Sequence, residues 1–177
     1  MSCFEEIKLL ALCYAADNRD AFSRLVEMHQ QGLRRFLINL CNGDLMLADD
    51  IAQDTFLKAW MNIRSFRGLS GFRTWLYRIA VNEYLSYKRL RQTAILAEAG
   101  DTTELRSVTA ADGVAAAEAS MDVGALLTGL SETERTVVLL FYLEDLPIKE
   151  IVKITNISEG TVKSHLSRAR HKMAKIK

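Results

Sequence analysis

The sequence of 177 residues has a single proline, Pro147, and few clusters of β-branched residues. No alternating apolar and polar stretch of the kind a half-buried strand needs is present, so the chain reads as helical almost throughout. Its three cysteines, Cys3, Cys13 and Cys41, are an odd number, and none pairs with another at metal-ligand spacing. The histidines, His29, His165 and His171, are equally scattered. A disulfide framework and a zinc site are both disfavoured, and the thiols read as buried or incidental groups of a reducing compartment. No apolar run approaches the roughly 20 residues that span a bilayer. The N-terminus carries Glu5 and Glu6 where a secretory signal would be basic, so the expected location is the cytoplasm. No nucleophile, base and metal cluster converges, so neither an enzyme nor a cofactor is expected. Formal net charge is only +1, which gives no global field toward nucleic acid. The uneven placement of the charge is more informative.

The stretch from Ile148 to Lys177 organises the reading. Its spacing predicts a helix from about Ile148 to Thr155, with Ile148, Ile151, Val152 and Ile154 on one side. Asn156-Ile157-Ser158 follows as a tight turn. Asn tolerates the left-handed conformation such a turn needs, and Ser158 is a good N-cap for a second helix. Val162, Leu166, Ala169 and Met173 form that helix's buried stripe. Off the stripe lie Lys163, Arg168, Arg170, Lys172, Lys175 and Lys177, against one acid, Glu159, in the first turn. Such a helix fits a DNA major groove, with Thr161, Lys163 and Ser164 near base edges and the later basic residues near phosphates. A solvated basic helix is the plainer alternative. The preceding helix, short turn and cap together favour a helix-turn-helix.

Toward the N-terminus, Ile7 to Tyr14 predicts a short helix, and Asp20 is available to cap the next one. Phe22, Leu25, Val26, His29, Leu33, Phe36, Leu37 and Leu40 keep one helical face to about Cys41. His29 on that face reads as a satisfied core or boundary residue rather than a ligand. Asn42-Gly43 is a stop signal. Asp44 then opens a helix whose apolar stripe runs from Leu47 to Ile63, with Asp49, Asp50, Gln53, Asp54 and Lys58 outside it. Asp50 and Asp54, one turn apart, lack a nucleophile or third ligand nearby. They read as a solvated acidic face or as a docking face for a protein partner.

Asn62 to Gly71 is a loop, after which Phe72, Trp75, Leu76 and Ile79 turn inward on another helix. From Arg64 to Arg91 seven basic residues face one acid, Glu83, with Phe66, Phe72, Trp75, Tyr77, Tyr84 and Tyr87 interleaved. Cations neutralise phosphates and aromatic faces stack on unpaired bases, so this stretch is suited to locally melted DNA. Phe66 in the loop and Tyr77 off the stripe are the aromatics expected to be exposed. From Thr93 to Thr128 the chain has six acids, one basic residue and no aromatic. That composition builds no core and predicts a flexible acidic linker spanning roughly 30 Å, with a helical end near Ala115 to Leu127. Ser131 and Glu134 then form a capping box ahead of Val137, Val138 and Phe141. The expected organisation is all-α: two small helical domains, 1–92 and 123–177, joined by a flexible linker, 93–122.

With these motifs in hand, the chain resembles the extracytoplasmic function group of bacterial RNA polymerase sigma factors. ADDIAQDTFLKAW (Ala48 to Trp60) is similar to the polymerase-binding helix of sigma region 2. FRGLSGFRTWLYRIAVNEYL (Phe66 to Leu85) resembles the promoter-melting segment of that region, and Leu130 to Arg170 resembles region 4. The helix-turn-helix alone would also fit a LuxR-type output domain; the three motifs in this order are far more specific. The resemblance implies that Asp49, Asp50, Gln53 and Asp54 dock on the β′ clamp helices of core RNA polymerase, and that region 4 meets the β flap. It implies that Phe66, Arg73, Trp75, Arg78 and Asn82 read and open the minus-ten element of promoter DNA, with Lys88 and Arg89 near phosphates. Thr161, Lys163, Ser164 and Arg168 fall on the recognition helix for the minus-thirty-five element. An anti-sigma factor, membrane-bound, is implied as an inhibitor. Asn156 stands where the family usually has Gly, Pro147 where it has Ser or Thr, Val152 where it has Ala, and His165 where Arg is common. Lys88 breaks an apolar position of the family. The rival readings are a stand-alone helix-turn-helix regulator and a helical protein–protein adaptor.

Overall fold

The computed structural model describes residues 3–98, 124 and 126–175. The first domain contains α1 (Cys3–Ala16), α2 (Arg19–Leu40), α3 (Leu45–Met61), a 3-10 turn (Ile63–Ser65) and α4 (Phe72–Glu98). The second contains α5 (Glu132–Val138), which passes into a π-helical turn (Leu139–Leu143), then α6 (Ile148–Thr155) and α7 (Glu159–Met173). No strand occurs among the described residues.

The caps explain most of the boundaries. Asn18, not Asp20, caps α2: its side-chain oxygen accepts from the Ala21 amide at 2.9 Å, and Asp20 lies inside the first turn. Asn42 and Gly43 take φ of 59° and 84°, the left-handed backbone that ends α2. Asp44 accepts from the Leu47 amide at 3.0 Å and starts α3. On α3, Ala48, Ile51, Thr55 and Ala59 are buried. The Thr55 hydroxyl donates to the Ile51 carbonyl at 2.7 Å, so burial leaves it no unmet donor.

α4 does not stop near residue 92. Gln92, Ala94, Leu96 and Glu98 are good helix formers, and the Thr93 hydroxyl donates back to the Arg89 carbonyl at 3.0 Å. The loss of aromatic residues at this point changes what the helix buries without ending it. The expected helical end near Ala115 lies outside the described residues, apart from residues 124 and 126–128, which are helical.

In the second domain the capping box forms in both directions, with Glu134 N–H donating to Ser131 Oγ at 3.3 Å and Ser131 N–H to Glu134 Oε2 at 2.9 Å. Ser131→Ala is expected to lower the stability of the protein by about 1 kcal/mol, measured as a shift in the urea midpoint at unchanged slope. Beyond α5 the backbone widens: the Glu144 amide donates to the Leu139 carbonyl five residues back, at 3.0 Å. Asp145 at φ 50° then turns the chain into Leu146 and Pro147, the residue before α6.

Apolar burial is continuous across both domains. Leu25, Leu33, Phe36 and Leu37 of α2 pack with Phe72, Leu76 and Ala80 of α4, and the same cluster runs on into Val137, Leu140, Ile151, Ile154, Val162 and Leu166. His29 sits in the first domain against the Phe72 ring, centroids 5.2 Å apart. It is not satisfied as expected, since its Nε2 is buried without a hydrogen bond, 3.9 Å from the Glu6 carboxylate. Burial first, then the Arg73 charge, holds the imidazole below its ordinary value. The unfolded chain therefore takes up this proton near pH 6.5, before the folded chain does. In that window the unfolded state binds more protons, so stability falls as pH drops below about 6.5. His29→Leu is expected to flatten the slope between about pH 6.5 and 5.5, above the range where ordinary carboxylates titrate, read from urea midpoints.

Candidate nucleic-acid and polymerase interfaces

The helix-turn-helix is built as its spacing predicts. Asn156 ends α6 at φ 58°, ψ 27°, in the left-handed region a glycine would occupy freely. Ser158 Oγ accepts from the Thr161 amide at 3.2 Å and starts α7. Val162, Leu166 and Ala169 are buried, while Thr161, Lys163, Ser164 and Arg168 lie together on exposed backbone turns. Thr161 Oγ1 lies 2.8 Å from the N-cap Ser158 Oγ, and Lys163 pairs with Glu159 at 2.6 Å.

Arg168 is framed on two sides. His165 Nδ1 lies 3.2 Å from its guanidinium, and Glu134 Oε1 lies 3.9 Å from its Nε. Burial first, then the Arg168 charge, lowers the His165 value and favours the neutral imidazole. Burial alone would raise the Glu134 carboxyl. Hydrogen bonds from Lys172, at 2.6 Å, and from the Ser131 amide outweigh it and hold the group below the usual carboxylate range. Glu134 thus caps α5 and fixes two cations of α7, a role its position in the capping box alone did not reveal.

α4 presents distinct faces. Phe72 and Leu76 are buried in the first domain. Trp75 is half-buried beside them, its ring 5.4 Å from Phe66 and 5.8 Å from Phe72. Phe66 is half-buried in the same aromatic group rather than exposed. Arg78, Asn82 and Arg89 are exposed, on the side next to Trp75. Arg73 and Lys88 lie on another side and are engaged by the second domain. Arg73 pairs with Glu144, and Lys88 with Glu132 at 2.8 Å. Tyr77, which sequence spacing marked for exposure, is 1% exposed. Its hydroxyl donates to Glu144 Oε2 at 2.7 Å, and its ring lies 5.0 Å from Phe36. The periodicity of α4 indicated one buried stripe; the second is created by the other domain, to which a single-helix pattern is blind.

On α3, Asp50, Gln53 and Asp54 are exposed along one side. Asp49 is held by Arg34 of α2 through two bonds, 2.6 and 3.0 Å, and this hydrogen bonding lowers its carboxyl. Two apolar residues extend the open row and were not anticipated: Leu57 is 55% exposed and Met61 73% exposed. Their signal was present in the sequence, since both fall off the buried stripe, Leu57 one turn and Met61 two turns beyond Gln53 and Asp54. Among the described residues no group of three His, Cys, Asp or Glu side chains could hold a metal. No described helix is long and apolar enough to cross a membrane. The Cys41 thiol is pushed up to about 12, by burial first and then by Asp44, which makes it inert at neutral pH.

Comparison with known proteins agrees with this arrangement. Residues 25–93 match the family model of sigma-70 region 2, and residues 120–173 that of sigma-70 region 4. The chain is 33% identical over 170 residues to the ECF RNA polymerase sigma factor SigW of Bacillus subtilis, covering 89% of each chain. It is 34% identical over 163 residues to the ECF RNA polymerase sigma-E factor of Haemophilus influenzae, covering 86% of this chain and 85% of that one. Among solved structures it is similar to the sigma factor RpoE in complex with the anti-sigma factor NepR from Bartonella quintana (TM-score 0.71, 27% identity, 88% of this chain and 95% of that one). It is also similar to CnrH in complex with the cytosolic domain of CnrY (TM-score 0.70, 25% identity, 97% and 96%). Two helical domains carrying regions 2 and 4, matched by relatives over nearly their whole length, place the chain in the extracytoplasmic function group of RNA polymerase sigma factors.

Proposed function

We propose that this sigma factor meets core RNA polymerase and promoter DNA through three separate surfaces. The exposed row of α3, Asp50, Gln53 and Asp54 with Leu57 and Met61, docks on the β′ clamp helices. Asp49 contributes by holding α2 to α3 through Arg34. The side of α4 carrying Trp75, Arg78 and Asn82, with Phe66 before it, reads and opens the minus-ten element. Arg73 joins that surface once it is released from Glu144, and Lys88 and Arg89 take the adjoining phosphates. Thr161, Lys163, Ser164 and Arg168 of α7 read the minus-thirty-five element, while the second domain meets the β flap. The working units are 1–92 and 123–177, with 93–122 between them. Cytoplasmic action follows from where polymerase and promoter are found.

The observation that carries this reading is the juxtaposition of half-buried Trp75 with exposed Arg78 and Asn82 on one side of α4. An aromatic face, a fixed cation and an amide are the groups that hold an unstacked base beside its phosphate. A stand-alone regulator working on duplex DNA through α7 would have no use for them. The similar sigma factor RpoE is seen with an anti-sigma factor, which supports an inhibitor of that class here. We propose further that it is membrane-bound and covers one or more of these surfaces.

Photo-crosslinking residues at positions 57, 75 and 164 test the assignment in a complex with core polymerase and a promoter fragment. Position 57 is expected to capture β′, position 75 the minus-ten strand, and position 164 the minus-thirty-five duplex. Capture of polymerase by position 75, or of DNA by position 57, would overturn it.

A further inference from the structure

The second domain meets α4 through groups with no part in its own fold. Glu144 is the centre. Its side chain is 1% exposed, yet it points out of the second domain toward α4. One oxygen, Oε2, is shared by the Arg73 guanidinium and the Tyr77 hydroxyl; the other, Oε1, is buried without a partner. The same Arg73 nitrogen also donates to the Glu144 backbone carbonyl at 2.8 Å. Gly32 of α2 lies beside the Tyr77 hydroxyl, where a Cβ would sit 3.4 Å away, at the edge of ordinary contact. The π-helical turn and the left-handed Asp145 on either side set the direction of Glu144. Three further turns along α4, Lys88 pairs with Glu132. At the loop before α4, Lys153 of α6 donates to the Leu69 carbonyl at 3.3 Å.

Two of these cross-domain contacts set a carboxylate of the second domain on a cation of α4. A carboxylate and a phosphate diester make the same demand on a guanidinium or an ammonium: a localised negative charge with accepting oxygens. We propose that Glu144, seconded by Glu132, is a phosphate-mimicking latch that holds the two domains closed and occupies Arg73 and Lys88 in the free protein. The latch is built to release. Arg73 remains 42% exposed and can leave for another anion, while Glu144 keeps an unpartnered buried oxygen as long as the domains stay closed. A buried carboxylate satisfied on one side only is a weak source of stability. In the closed form Arg78 and Asn82 remain exposed and Trp75 half-exposed, while Arg73 and Lys88 are engaged. The free protein is thereby deprived of part of its DNA face and not all of it. The part concerning DNA rests on the surface assigned above; the closure does not.

Glu144→Gln tests the latch in the full-length protein, because it keeps the shape and removes the charge. Two readouts are taken, the radius of gyration by small-angle X-ray scattering and the affinity for a labelled single-stranded oligonucleotide. The variant is expected to expand while keeping its helical circular dichroism, and to bind the oligonucleotide about tenfold more tightly, a change of about 1.4 kcal/mol. Adding Arg73→Ala to Glu144→Gln should cancel the gain in affinity and leave the expansion. Expansion without tighter binding would uphold the latch and remove Arg73 from the DNA surface. Unchanged scattering with native helicity would overturn the latch, whatever the oligonucleotide does. Should Glu144→Gln lose helicity, Tyr77→Phe with Lys88→Met weakens the same contacts from the other domain, and unchanged scattering there overturns it equally.

Discussion

Gln53→Ala combined with Asp54→Ala is expected to weaken binding to core RNA polymerase by about 30-fold, or some 2 kcal/mol, the scale of a hot-spot pair. Both side chains are exposed and neither makes a hydrogen bond or ion pair among the described residues, so their loss leaves the first domain intact. The apolar neighbours sharpen the expectation. Leu57 and Met61 are exposed at the same end of the helix, where a partner must exclude water around the acidic row for its charges to count. Leu57→Asp should therefore weaken binding to a similar extent while raising the local negative charge. That result separates a docked surface from simple attraction to a basic partner, which the added acid would strengthen. Asp49→Ala acts by a different route: it frees Arg34 and loosens α3 against α2. It is expected to cost folding stability more than polymerase affinity. Calorimetric titration of each variant with core polymerase, paired with urea unfolding, distinguishes the two.

Arg168→Ala is the second substitution with a large expected effect. Its guanidinium is 57% exposed on the same side of α7 as Thr161 and Ser164, steadied by His165 and Glu134. Loss of one phosphate contact removes about 0.9 from the slope of log affinity against log salt, and weakens promoter binding by the holoenzyme severalfold at constant salt. Lys172 is the control. It is bound by the buried Glu134 carboxylate at 2.6 Å and starts with its charge already spent. Lys172→Ala should change the salt slope far less, and should cost stability because Glu134 loses its nearest cation. Equal slopes for the wild type and Arg168→Ala would take Arg168 off the DNA surface.

The legible part of this fold is the part governed by local rules. The stripe from Ala48 to Ala59, the Ser131–Glu134 capping box and the Asn156-Ser158 turn each follow from contacts within a few residues, and each is where spacing put it. The error at the start of α2 is of the same local kind: Asn18 and Asp20 are both competent caps, and Asn18 won by lying just outside the helix. The last turns of α4, from Thr93 to Glu98, fall where composition predicts linker. The disappearance of aromatics after Arg91 signals the end of burial only.

The clasp around Glu144 was not legible at all. Tyr77 is buried by a residue 67 positions away, and no periodicity in either helix records that meeting. The same holds for Arg73 and Lys88 of the expected DNA face. Arg73 and Asn82 share one helix and one family motif, yet one is held against a carboxylate and the other is open, because the second domain covers only one side of α4. The acidic face of α3 was seen as a row of carboxylates. Its apolar border, Leu57 and Met61, lies off the stripe that periodicity marks, and apolar residues there carry no charge pattern to single them out.

The central claim is that this chain gives core polymerase its choice of promoter. The most direct test is run-off transcription from a promoter library, using core polymerase with and without the purified protein. The account predicts a stable complex with core polymerase and initiation from a restricted set of sequences that share two separated elements. Gln53→Ala with Asp54→Ala should lower initiation at limiting protein in step with its weaker binding, while the second domain remains folded. A folded, inhibitor-free protein that neither binds core polymerase nor changes which promoters are transcribed would contradict it.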